Sequence, residues 1–182
     1  MVLTKLERFC LLTLLLGAML MPHHALSQSV RDPGQHFFHT SFGDLRAELD
    51  IARKDGKKGI LLVFELEECP FCKRMHDTVI NREAVQAAFR QHFNIIRIES
   101  DSSSEIVSPS GLPMTERELA QSLKAYGTPY SIALDADGTE LARLPGAPVN
   151  AEEYLLFANY ATSDTARSES FAQYKARHRG AK

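Results

Sequence analysis

The sequence predicts an α/β domain in which a mixed four-stranded sheet is covered by helices on both faces. Two short apolar runs, Ile60-Leu61-Leu62-Val63-Phe64 and Phe93-Asn94-Ile95-Ile96-Arg97-Ile98, are each flanked by segments of helical periodicity. That alternation builds parallel strands joined by right-handed crossovers. The tetrapeptide Asp135-Ala136-Asp137-Gly138 separates two further strand-like runs and marks an antiparallel hairpin. A chain of 182 residues, 44% apolar and 24% charged, suits one soluble domain with a real core. The formal charge of -2 gives no reason to expect nucleic acid or an anionic membrane surface as partner.

The N-terminal segment stands apart. Lys5 and Arg8 flank an apolar run from Cys10 to Met21, and Pro22 breaks it. The run is short for a bilayer span and fits the core of a secretory signal. Ala25-Leu26-Ser27 puts small residues where a signal peptidase inspects the chain. Residues 1–27 are therefore expected to be a cleaved signal peptide, the alternative being a retained anchor. Cys10 stands at the start of the run, whereas lipidation needs a Cys at its end. Cleavage leaves Cys69 and Cys72 of the three cysteines.

Residues 28–161 carry the domain. Gln28 to Thr40 reads as a lead-in in which Pro33-Gly34 prevent early regular structure. Ser41 is placed to cap a helix over Phe42 to Lys54, with Leu45 and Leu49 on one face. Ile60 to Phe64 follows as a strand covered on both faces. Cys69-Pro70-Phe71-Cys72 opens a helix to about Val79, and Asn81 caps another in which Val85, Ala88 and Phe89 share a face. Phe93 to Ile98 is the second strand. Ser100 to Met114, rich in Ser, Pro and Gly, reads as a loop. Thr115-Glu116-Arg117-Glu118 has capping-box spacing and starts a helix through Tyr126, which Gly127 ends. Tyr130 to Leu134 and Thr139 to Leu144 form the hairpin. Asn150 caps a last helix through about Ala161, with Tyr154, Leu155 and Ala158 available for packing. Residues 162–182 are expected to be a polar, basic, solvated tail, the sharper alternative being a basic partner-binding segment.

Cys69 and Cys72 carry the chemistry. A lone cysteine pair is no framework of structural staples, and closing so small a loop restrains the unfolded chain little. Only a thiolate attacks a disulfide. Cys69 stands where the helix N-cap belongs, and there the unpaired N–H groups and the positive helix end favour an anion. Pro70 suits the first helical position, since it has no N–H to leave unsatisfied. Cys72 lies one turn deeper. Cys69 is thus the nucleophile and Cys72 the resolving thiol. Lys73 and Arg74 add positive charge nearby, and Glu67 and Glu68 oppose it. The competing reading is a metal-binding or metal-delivery module. One pair supplies only two of the four ligands that zinc takes, although His76, four residues after Cys72, shares its helical face.

Three features then fall in order: the Cys69-Cys72 motif after the first core strand, Gly127-Thr128-Pro129 before the hairpin, and Gly146 after the final strand. On these the chain resembles the thioredoxin-fold superfamily. Within it the chain is most similar to exported thioredoxin-like proteins of the SoxW type. LLVFELEECPFCKRMH, LAQSLKAYGTPYSIALDADGTELARLPG and the Ser108 to Gly111 loop leading into TERELA carry that similarity, which spans about Phe37 to Ala161.

The resemblance implies a thioredoxin-like fold and a periplasmic thiol–disulfide oxidoreductase. Its redox-active group would be the Cys69–Cys72 disulfide, with no other cofactor and no metal. It implies a cis Pro129 beside the cysteine pair and a Thr128 whose backbone pairs with the substrate chain. Phe71 is expected to be an exposed apolar contact for partners. The partner would be an exported protein disulfide, and the electron donor a membrane thiol transporter of the CcdA or DsbD kind. A monomer is expected. The alternative direction is oxidation or isomerisation of secreted proteins, and the Pro-Phe pair between the cysteines hints at a less reducing couple than thioredoxin. Two departures stand out. Trp is absent, and Val63 occupies the place of the buried Asp that takes the resolving thiol's proton. Glu65 and Glu67 are the candidates to replace it, the plain alternative being exposure at a strand end. His76 is expected to be a helix-surface residue.

Overall fold

A computed structural model describes residues 29–179; the expected signal segment lies outside them. The continuous apolar run becomes β1 (Gly59–Glu65), buried at every position. Its first residue must be glycine, because a Cβ there would collide with the Leu134 carbonyl oxygen. β1 pairs in parallel with β2 (Phe93–Glu99), setting Leu61 opposite Ile95 and Val63 opposite Arg97. On its other side it pairs antiparallel with β5 (Tyr130–Asp135), where Val63 faces Ser131. β5 turns through the expected hairpin into β6 (Glu140–Pro145), giving the order β2-β1-β5-β6.

Strand alternation sorts the core into two halves. Leu61, Val63, Ile95 and Ala133 meet one set of helices. These are α3 (Pro70–Met75), α4 (Glu83–His92) and α6 (Ala151–Thr162), which contribute Met75, Phe89, Tyr154 and Phe157. Ile60, Leu62, Phe64 and Ile132 meet α2 (Leu45–Lys54) and α5 (Glu116–Ser122) through Leu45, Leu49 and Leu119. Each such fully buried side chain contributes on the order of 2 kcal/mol from apolar burial. The mixed sheet with helices on both faces is as the sequence predicts.

The differences are local. The lead-in holds a short helix, α1 (Pro33–His36), because Asp32 accepts the Gln35 N–H and Pro33 takes the first position. α2 starts at Leu45, not Phe42. Asp44 caps it by accepting the Ala47 N–H, while Ser41 accepts from Gly43 in the preceding turn. Phe42 is left 98% exposed. α3 runs into a π-helical turn, His76–Ile80. Asn81 does not cap α4; its amide donates to the Asp77 carbonyl, and Arg82 stands at the cap without a side-chain bond.

The expected loop over 100–114 contains a small hairpin, β3 (Glu105–Val107) and β4 (Pro113–Thr115). Ile106, the apolar residue at its centre, reaches the second core half. The Thr115–Glu118 capping box forms as expected, but α5 ends early, since Lys124 takes a left-handed conformation. Tyr126 is thereby left 73% exposed. The solvated tail is also corrected. A 3₁₀ turn (Asp164–Arg167) leads to α7 (Phe171–Arg179), and Phe171 and Tyr174 join the core. Phe171 packs edge-on against Phe157 at 5.3 Å, and Lys175 pairs with Glu153. Two aromatic residues four positions or fewer apart in a basic segment are what anchor it.

Candidate active site

β1 delivers the chain to the site. After Glu65 it leaves the sheet, and Cys69 takes an extended conformation at the N-cap of α3, with Pro70 following. The Cys69 sulfur accepts the Cys72 backbone N–H at 3.1 Å. That bond satisfies one of the unpaired donors of the first turn. Cys72 is buried, Cys69 is partly exposed, and a disulfide joins them with Cα atoms 5.2 Å apart, a usual separation.

The second wall comes from the segment between α5 and β5. Gly127 has a positive φ of 88°, which turns the chain so that Thr128 faces the cysteines. The Thr128–Pro129 bond is cis, and Pro129 is buried. The Thr128 hydroxyl donates to the Cys69 sulfur at 3.3 Å. Sequence reasoning assigned Thr128 a role for its backbone alone and missed this side-chain contact. Phe71 is 63% exposed. Lys73 pairs with Asp77 one turn on, so its charge is directed along the helix surface rather than onto Cys69.

Beneath the disulfide the site departs most from expectation. Glu65 is not an exposed strand end: it is 1% exposed. Alternation along β1 puts it on the same face as Leu61 and Val63, the face that carries α3. One carboxylate oxygen lies 2.7 Å from His76 Nε2 and the other 3.0 Å from Arg97 Nε. His76 is therefore not a plain helix-surface residue; its ring is partly buried, with Phe38 at 5.7 Å. Arg97 also reaches Glu99, whose carboxyl burial raises above its usual range, Arg97 offsetting part of the rise. A cavity of about 310 Å³ is lined by Glu65, Glu67, Cys69, Cys72, His76 and Arg97. Glu67 is exposed at its edge.

The place of the missing Asp is closed to chemistry. Val63 is fully buried in the apolar core. Next to it on β5, Ser131 shares a hydrogen bond of 3.0 Å with the Tyr154 hydroxyl. Burial pushes that phenol far above its usual range, so it serves as a neutral hydrogen-bonding group. The signals for Glu65 and His76 were present as strand parity and as the Cys72–His76 spacing. Arg97 left no such signal, because only the parallel register brings it to Glu65. Among the described residues, no group of three or more His, Cys, Asp or Glu side chains is arranged to hold a metal ion.

The family model described as a thioredoxin-like domain matches residues 45–162. The chain belongs to this family. The thioredoxin-like domain also superposes on solved structures. A thioredoxin-fold protein from Helicobacter pylori gives a TM-score of 0.56 at 20% identity, over 66% of this chain and 80% of that one. DsbH oxidoreductase gives 0.53 at 19% identity, over 70% and 87%. A thioredoxin from Thermus thermophilus gives 0.50 at 22% identity, over 72% and 85%. At these identities the likeness establishes the fold. Among curated proteins, none matches this sequence.

Proposed function

We propose that this thioredoxin-like protein is a periplasmic thiol–disulfide oxidoreductase that reduces disulfides of exported partner proteins. The observation that carries the reading is the setting of Cys69. Its sulfur caps a helix, accepts one backbone and one hydroxyl donor, and stands bonded to a buried Cys72. Those donors are the groups that stabilise a sulfur anion. The fold likeness to DsbH oxidoreductase and the similarity to SoxW-type proteins support the same chemistry.

The reduced Cys69 thiolate attacks one sulfur of a partner disulfide. A Cys69–partner bond forms, the partner's S–S bond breaks, and the released partner sulfur takes a proton. Cys72 then gives up its proton and attacks the Cys69 sulfur. The Cys69–Cys72 disulfide forms and the second partner sulfur leaves, so two electrons have passed to the partner. Thr128 holds the partner backbone by strand addition, and Phe71 offers an apolar contact. A membrane thiol transporter of the CcdA or DsbD kind restores the dithiol.

Cys72→Ser should accumulate covalent adducts that dithiothreitol releases, and Cys69→Ser should not. Equal adducts from both variants would overturn the assignment of roles. Rapid alkylation in cells tests the direction: a mostly reduced pair agrees with a reductant, and a mostly oxidised pair assigns the protein to oxidation or isomerisation instead. Stoichiometric copper or zinc on the purified protein, lost in Cys69→Ser, would replace both readings with metal delivery.

A further inference from the structure

We infer that His76 accepts the proton that Cys72 gives up when it resolves the mixed disulfide, with Glu65 as the positioning residue that orients the imidazole. This rests on the redox reading above and names the group that reading leaves open.

The geometry starts from one helical turn. Cys72 and His76 lie four residues apart on one helical side, where the His76 backbone N–H donates to the Cys72 backbone carbonyl. Both side chains line the same cavity of about 310 Å³. Behind His76, Glu65 meets Nε2 at 2.7 Å from an almost fully buried position. An ionised carboxylate only accepts hydrogen bonds, so Nε2 is the donor. A neutral imidazole that donates through Nε2 keeps Nδ1 as its accepting nitrogen. Glu65 is committed elsewhere, because its other oxygen forms an ion pair with Arg97 Nε at 3.0 Å.

The remaining charged groups at the cavity are peripheral. Lys73 and Asp77 pair with each other, and Glu67 is exposed. Phe38 closes one side of the imidazole. Val63 is fully buried and carries no proton acceptor, whereas His76 shares the cavity with Cys72.

In the step itself the Cys72 S–H bond breaks and an N–H bond forms at Nδ1. The sulfur's electron pair makes the new bond to Cys69, and the partner sulfur leaves with the electrons of the mixed disulfide. The imidazolium passes its proton to solvent through the exposed part of the ring, 29% of the side chain.

The test separates the two thiol steps. Reduced protein mixed with the aromatic disulfide dithiobis(nitrobenzoate) releases one coloured thiolate when Cys69 attacks and a second when Cys72 resolves. His76→Gln keeps a donor toward Glu65 and should slow the second release at pH 7 by about 100-fold, the scale of general-base catalysis. The first release is the internal reference. Glu65→Gln should slow the second release by about tenfold. The second release should depend on pH differently in the wild type and in His76→Gln, while the first release keeps one profile in both. Added imidazole should restore the second release in His76→Ala. Two releases that are indifferent to His76, or slowed alike, would overturn the inference and leave the redox reading standing. Absence of any release from the wild-type protein would overturn both.

Discussion

Two histidines flank the parallel β1–β2 pair, and their neighbours give them opposite tasks. His76, at the cysteine end, meets the buried carboxylate of Glu65, with Arg97 beyond it. His39 belongs to the segment that covers β2. Its Nδ1 accepts the Ile95 N–H at 2.9 Å, and its backbone N–H donates to the Ile95 carbonyl. Lys57 Nζ lies 3.4 Å from its Nε2, and Arg90 is also nearby. Burial, then Arg90, then Lys57 push the His39 imidazole down to about 4. Lys57 is lowered too, by burial first and Arg90 second, and it donates to Asn94 at 2.7 Å. One ring is thus a neutral acceptor that covers a sheet edge. The other is held by a carboxylate beside the thiols. A histidine's role follows from the charge and hydrogen bonds placed around it.

The comparison breaks most severely at Glu65. Glu65→Ala leaves His76 and Arg97 without the buried carboxylate that they share. Stability should fall by about 2 kcal/mol, read from urea unfolding. An unchanged midpoint would mean that the carboxylate contributes nothing to holding the cysteine end.

Acid tests the other histidine. Its folded value is depressed from 6.5 to about 4, so the neutral form is what folding favours. Above pH 6.5 the contribution is fully present, because neither state binds the proton. Between pH 6.5 and 4 the unfolded chain binds a proton that the native state refuses, so stability falls. Below pH 4 there is no further loss. The residue is only half-buried, and screening reduces the loss to about 1 kcal/mol. Unfolding midpoints measured across that window should show the slope in the wild type and lose it in His39→Leu. A slope retained in His39→Leu assigns it to other groups.

Thr128→Val sharpens the cysteine end. It removes one neutral donor to Cys69, worth about 1 kcal/mol, and should slow iodoacetamide alkylation of reduced Cys69 at pH 7 by about fivefold. The smallest effect on the acid slope is expected of Lys57→Met. At pH 7 the variant should lose about 1 kcal/mol of stability, because the buried Asn94 side chain loses the Lys57 donor. Removing a cation beside His39 brings the imidazole closer to its ordinary value, so the acid slope should become shallower. A steeper slope would contradict the assigned electrostatics.

Much of this was legible in the residues. The run Ile60 to Phe64 has one stable use, a strand with both faces covered, and the Asp135 to Gly138 turn has one as well. Cys69 at a helix N-cap follows from Pro70 and the helical segment after it, a relation within a few residues. Capping competition was harder to read. Ser41 and Asp44 are both good cap residues, and which one accepts from the first turn depends on where Leu45 and Leu49 must point to reach the core. The hairpin at Ile106 and the helix at Phe171 were hidden because a few apolar residues in polar segments say nothing until a core exists to receive them.

By itself the sequence determined the strand-to-helix turn that presents Cys69 and the proline that follows it. These are properties of adjacent residues; that Val63 stands where relatives carry an acid is what the resemblance adds. The tertiary structure alone decided that Glu65 is buried and that Arg97 and His76 share it. Strand parity assigns Glu65 to a face, but whether the end of that face is open to water depends on the helix packed across it. The partner depends on the register of a parallel strand more than thirty residues away. Long-range pairing of charges around a partly open cavity leaves no local pattern, and the proton route to Cys72 is built from such a pairing.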